Sequence, residues 1–253
     1  MVAPFVEAFR AFAVAEGDRD PGLARPMALL AGGLDHGTVA EPTSQAGLPV
    51  ADRHFEAALA AGVGVPADLA RMVAGRTGWA RPYPDYGGQP DMDALRANYA
   101  YSPVIGAAED AISGNAVTAL YLSDEVFAGL VLQGPGVVYP PHVHKAAEVY
   151  WVVSGTADWQ WGDDWSTHRP GAVIFHDTGV RHATVTGDEP QLLLFAWVTV
   201  PDSIPVIIRH CPGPPVRCAR WSRRRRPTPA TGTPTTGPVC GANGATGESA
   251  PCA

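Results

Sequence analysis

Residues able to do chemistry concentrate between Tyr139 and His182. His142 and His144 are two apart, so on an extended strand their imidazoles leave the same face. Glu148 and Tyr150 share that parity if the strand resumes after Lys145, Ala146 and Ala147. Two imidazoles, a carboxylate and a phenol then converge on one interior surface, as metal ligands or as acid-base groups. Burying them without partners is costly, so they must be paired with one another or with a cation. Tyr139 stands just ahead of the histidines and His176 precedes the turn to His182, each placed to hydrogen-bond a substrate or relay a proton.

The wider spacing resembles the two motifs of the cupins. Gly136, five residues, His142-Val143-His144, three residues, Glu148, six residues and Gly155 follow the first motif. Gly171, five residues, Asp177-Thr178-Gly179, two residues and His182 follow the second. Asp177 stands where the family usually has Pro, and Thr186 where Asn often closes the motif, changes that touch the turn more than the ligand. The resemblance implies a four-ligand set of His142, His144, Glu148 and His182. Three imidazoles and a carboxylate suit one divalent transition metal, Zn, Fe, Mn, Co or Ni, and ligand type leaves its identity open.

A narrower resemblance follows from the run Tyr139-Pro-Pro-His142-Val-His144-Lys-Ala-Ala-Glu148-Val-Tyr150, then Gly155-Thr-Ala-Asp-Trp159, and Pro170-Gly171 through His176 to His182-Ala183. Together with Asn98 to Pro103 upstream and Phe195-Ala-Trp197 downstream, it is similar to the cupin-type dimethylsulfoniopropionate (DMSP) lyases over Asn98 to Val198. The resemblance implies a carbon-sulfur lyase in which the substrate carboxylate binds the metal and the tyrosine two residues after the ligand Glu removes the α-proton. Dimethyl sulfide then leaves and acrylate remains. Tyr150 occupies that position, with Tyr139 as the second catalytic candidate. A phenol with a reference pKa near 10 is a poor base, and a nearby cation can stabilise its phenolate. The sulfonium end of such a substrate seeks aromatic faces. Trp159, Trp161, Trp197, Tyr139 and Phe195 are candidates for that cage, with Tyr99, Tyr101 and His176 as further substrate-binding residues; Trp151 has the wrong parity and should face away.

Two other readings use the same ligands: a dioxygenase or oxalate-type metalloenzyme acting on a small carboxylate, and a ligand-binding cupin without turnover. Neither needs the Glu-x-Tyr pair beside an aromatic cage. A sugar isomerase would need a more polar and basic pocket than this Trp-rich stretch offers.

The elements that must position these groups divide the chain. Residues 1–98 read as a helical N-terminal region, with helices expected over Pro4 to Glu16, His54 to Val63, Pro66 to Ala74 and Asp91 to Ala97 joined by Pro/Gly loops such as Trp79 to Pro90. Residues 99–208 switch to short Val-, Leu-, Tyr- and Trp-rich runs separated by Gly, Pro and Asp. Strands are expected over Ala116 to Tyr121, Val126 to Leu132, Glu148 to Ser154, Thr156 to Trp161, Ala172 to His176, His182 to Thr186 and Leu192 to Val198. The fold class expected is all-β: a single-domain cupin, a double-stranded β-helix or jelly-roll barrel, whose mouth the helical region covers. Residues 209–253 load Pro, Gly, Thr and Arg without apolar periodicity, a composition expected to stay disordered.

Of the 253 residues, 46% are apolar and 17% charged, which fits a soluble globular protein able to bury a core. The net charge of -7 divides into -13 over residues 1–208 and +6 over residues 209–253. An acidic body argues against a nucleic-acid-binding main domain and points to a small-molecule substrate. There is no long apolar run or signal-like N-terminus, so no membrane association and a cytoplasmic location are expected, with a homodimer as an allowed assembly. Cys211, Cys218, Cys240 and Cys252 lie in the tail with irregular spacing, which matches no zinc module or disulfide framework. Arg223 to Arg226 form a short basic run in the same tail.

Overall fold

The computed structural model of the chain describes residues 2–41, 47–76, 78–108, 112 and 117–209. The tail cysteines and Arg223 to Arg226 lie outside them. Residues Met1–His210 form one compact unit.

Helices come first. In α1 (Ala3–Arg19) Pro4 sits in the first turn, where its missing N–H costs nothing, and Phe5, Phe9, Ala13 and Glu16 recur at helical spacing on the buried side. Next come α2 (Ala24–Gly33), α3 (Pro49–Ala60) and α4 (Gly64–Val73). A single 3-10 turn, Pro84–Tyr86, precedes α5 (Pro90–Asn98), which carries Asp91 and Asp93 in its first turn and Arg96 in its last, as the helix dipole favours.

The strands are β1 (Thr38–Val39), β2 (Tyr99–Gly106), β3 (Tyr121–Leu122), β4 (Phe127–Gln133), β5 (Val138–Val143) and β6 (Glu148–Ser154), followed by β7 (Ala157–Trp161), β8 (Asp164–His168), β9 (Val173–His176), β10 (His182–Thr186), β11 (Gln191–Trp197) and β12 (Val206–Ile207). They form a seven-stranded sheet, β1-β3-β2-β4-β11-β6-β9, and a five-stranded sheet, β12-β5-β10-β7-β8. This is the cupin double-stranded β-helix, antiparallel except where β2 meets β3.

The larger sheet is apolar on both faces. Side chains of one parity, including Trp151, Val149, Leu192 and Leu194, share a core with α1 to α4; Phe9 meets the Trp151 indole edge-on, with ring centres 5.7 Å apart. The opposite parity, including Tyr150, Val152, Phe195 and Trp197, belongs to a second core inside the barrel. Helices α1 to α4 therefore cover the back of the sheet, whereas the sequence predicts the helical region over the barrel mouth; only α5, through Met92 and Leu95, and the loop before it reach the inner core. The physical reason is the continuous apolar outer face, which would otherwise stand in water. Trp151 faces away from Tyr150, as its parity requires.

Several elements differ from expectation. The second expected helix begins earlier, at Pro49, because Pro pre-sets the first turn there. Helix α2 adds a helix in a Gly-containing stretch. Of the strand expected over Ala116 to Tyr121, only Tyr121 is extended, in β3, and Ala116 lies outside the described residues. Strand β2 is an addition: all eight of its residues are buried, so it shows no alternation, and it contains Pro103. That proline sits at a register shift opposite Gly129, where a Cβ would come 2.1 Å from the Ser102 carbonyl oxygen. Only glycine lets the two strands pair there.

Candidate active site

Neighbouring strands deliver the polar groups in register. His182 of β10 pairs with His142 of β5, while Glu148 of β6 lies between His176 of β9 and Trp197 of β11. His144 stands just beyond β5, in a turn held by two side-chain hydroxyls: the Lys145 N–H donates to Ser203 Oγ at 2.9 Å, and the Ala147 N–H to Thr199 Oγ1 at 2.8 Å. The Gly179 N–H donates to the His144 carbonyl at 2.9 Å, tying the second motif's turn to the first motif.

Each of the three histidines is oriented by its own backbone. His142 Nδ1 donates to the Pro140 carbonyl at 2.9 Å, His144 Nδ1 to that of Ala146 at 2.8 Å and His182 Nδ1 to that of Val180 at 2.9 Å. A carbonyl can only accept, so these contacts fix the tautomer and leave Nε2 as the donor atom available to a metal, the arrangement typical of metal-bound histidine. One ring nitrogen from each lies within 4.8 Å of the others. His182 Nε2 is buried without a hydrogen-bond partner, 3.6 Å from Glu148 Oε2.

Electrostatics agree with a cation position. Burial alone would lower the His144 pKa, but the hydrogen bond to Glu148 at 2.9 Å and that carboxylate's charge raise it above its ordinary value. Both ring nitrogens of His144 face acceptors, so a divalent ion at Nε2 would supply the positive charge that the Glu148 carboxylate attracts. Burial alone would raise Glu148, but His144 and His182 together hold it well below the usual carboxylate range. His142 is pushed well below by burial and by its two histidine neighbours. The donor set fits a divalent ion, with His142, His144, His182 and Glu148 as holders.

In front of this cluster lies a cavity of about 40 Å³. Tyr99, Tyr101, Tyr139, His142, His144, Glu148, Tyr150 and Trp197 all line it, as do Phe127 and Phe195, and no Lys or Arg is among its described lining residues. Tyr139 stacks on His142, with ring centres 4.0 Å apart and planes 9° apart. Burial raises the Tyr150 and Tyr99 phenols well above their ordinary value, and the Glu148 charge adds to this; burial and the neighbouring phenols do the same to Tyr139. A cation at the histidines acts in the opposite direction.

Three expected substrate contacts do not line the cavity. Trp159 packs behind Tyr150, with ring centres 5.0 Å apart, and against His176 at 5.9 Å. His176 is buried behind His182. Trp161 keeps the parity of Trp159 and pairs with His182, but it ends β7 at the turn into β8, where it is 54% exposed. Sequence reasoning also missed Tyr83, whose hydroxyl hydrogen-bonds that of Tyr139 and which lines the cavity from the loop before α5. Tyr83 has φ 62, a left-handed conformation uncommon for a bulky residue, and only the folded loop reveals it.

Fold and site together define a cupin with a buried His/Glu cluster compatible with a metal. The family model for dimethylsulfoniopropionate lyase matches residues 27–193, and the chain belongs to that family. The curated lyase DddQ of Ruegeria pomeroyi is 34% identical over 88 residues, which are 34% of this chain and 44% of that protein. The match thus spans under half the length of that relative. The crystal structure of DddQ from Ruegeria pomeroyi DSS-3 is similar over 81% of this chain and 96% of that one, with TM-score 0.58 and 25% identity. A structure of the DMSP lyases RdDddP and RnDddQII shares the fold, with TM-score 0.56 and 18% identity over 83% of this chain and all of that one. No described helix is long and apolar enough to cross a membrane.

Proposed function

We propose that this chain cleaves dimethylsulfoniopropionate to dimethyl sulfide and acrylate by base-promoted β-elimination. The observation that carries the proposal is the cavity's polarity: imidazoles and Glu148 at one end, aromatic rings elsewhere, and no Lys or Arg among the described lining residues. A small zwitterion with a carboxylate at one end and an onium at the other matches that division. When bound, a divalent ion supplies the positive charge for the carboxylate and favours the nearby phenolate.

The chain's own groups do the rest. Tyr150, as phenolate, takes the proton from the carbon beside the carboxylate. The electron pair of that C–H bond becomes the carbon-carbon double bond, and the Cβ–S bond breaks with its pair going to sulfur. Dimethyl sulfide and acrylate leave, and the proton stays on Tyr150 Oη until it passes to solvent. Tyr139, held by Tyr83 and by its stacking on His142, orients the substrate beside the ligands. The faces of Tyr101, Phe195 and Trp197 meet the sulfonium and keep water away. The working unit is the helical region 1–98 with the barrel 99–208.

The test is headspace gas chromatography for dimethyl sulfide from chelator-stripped protein given DMSP, with and without each divalent metal. Metal-dependent release is expected. No release with any metal, from protein whose site is shown by metal analysis to be filled, overturns the proposal and favours an oxygen-using or ligand-binding cupin.

A further inference from the structure

The barrel interior holds one more ligand-type side chain that the proposed elimination does not use. His176 is fully buried on β9, opposite Glu148 in the register, and neither of its ring nitrogens has a hydrogen-bond partner. It lies against His182, with ring centres 4.1 Å apart and planes 24° apart. Trp159 and Tyr150 flank it at 5.9 and 6.1 Å. One donor atom from each of Glu148, His176 and His182 lies within 4.8 Å of the others. Two imidazoles and a carboxylate are a recurrent ligand set for divalent first-row ions. A neutral imidazole always keeps one lone pair, and in the described residues no donor is aimed at that of His176.

We propose that Glu148, His176 and His182 form a second position for a divalent transition-metal ion, behind the position defined by His142, His144 and His182. Both positions use Glu148 and His182, so the chain holds one ion in either place and not two at once. His176 and His182 do not line the cavity, so an ion in the deeper position is withdrawn from substrate. His176 thus provides a holding place for the ion.

The proposal concerns metal content and is independent of which reaction the cavity performs, so it stands or falls separately from the lyase reading. Chelator-stripped full-length protein is reloaded with cobalt(II), desalted and analysed for bound metal. His142→Ala/His144→Ala is expected to retain about one ion per chain, and adding His176→Phe to reduce this at least about tenfold. A double variant that is already empty, or a triple variant as full as the double, overturns the proposal. If circular dichroism shows the double variant unfolded, anomalous scattering at the cobalt edge from wild-type crystals decides. A second, partly filled peak in contact with His176, absent in His176→Phe, is expected; a single peak touching only His142, His144, Glu148 and His182 overturns the proposal.

Discussion

Tyr150 and Trp151 are consecutive residues of β6, both buried and both aromatic, yet they belong to different cores. Trp151 looks outward into the helices and touches Phe9 and Phe12; Tyr150 looks inward at Glu148, His176 and Trp159. One strand therefore separates the helix-backed core from the candidate active site, by nothing more than the pleat. The outer face can be judged by volume and fit, the inner face by charge and lone pairs.

That division is sharpest under substitution. Tyr150→Phe should lower kcat/KM for dimethyl sulfide release by about 10²–10⁴ while metal content and Tm stay near wild type. Near-normal turnover would remove Tyr150 as the base. Its neighbour should behave in the opposite sense. Trp151→Ala is expected to cost about 3–5 kcal/mol, lowering Tm by roughly 10 °C, while turnover per folded molecule is kept. Loss of turnover at unchanged Tm would erase the distinction between the faces.

Acid should act chiefly on the inner face. Burial, followed by the neighbouring histidines, lowers His142 well below 6.5 and His176 to about 2. As pH falls below 6.5, the unfolded chain binds two protons that the folded chain refuses, so stability falls with pH. The slope from these two groups is roughly 2.7 kcal/mol per pH unit, readable in denaturant melts of chelated protein. A flat profile through that range would mean both imidazoles accept protons in place. The smallest effect is expected at Trp161, where the exposed side chain touches neither core: Trp161→Ala should shift stability by less than about 0.5 kcal/mol and leave KM unchanged. A raised KM would return Trp161 to the substrate path.

Legibility in the sequence followed the same division. Strand β10 was readable at both ends because His182 and Thr186 bracket a β-branched run between turn residues. That His142, Glu148 and Tyr150 share one face was readable because parity on β5 and β6 is a local property, and His182 through the spacing of the second motif. Strand β2 was not, since a run buried on both faces with Pro103 inside it carries no period. Tyr83 reaches Tyr139 only through a φ that no residue pattern encodes. The exposure of Trp161 depends on where the β7–β8 hairpin turns, at Gly162 with φ 60, and not on parity. Long-range placement, in short loops above all, is what the linear pattern lacked.

The carbonyls that hold His142 and His182 by Nδ1 belong to residues two positions earlier in the chain, so each ring is steered by its own local backbone. Loading of the proposed ion would then require no tautomer change or ring rotation at these two side chains. The rate of metal uptake should follow how readily each ion sheds its own water, and a slowly hydrating-exchanging ion should load late even where its final affinity is high.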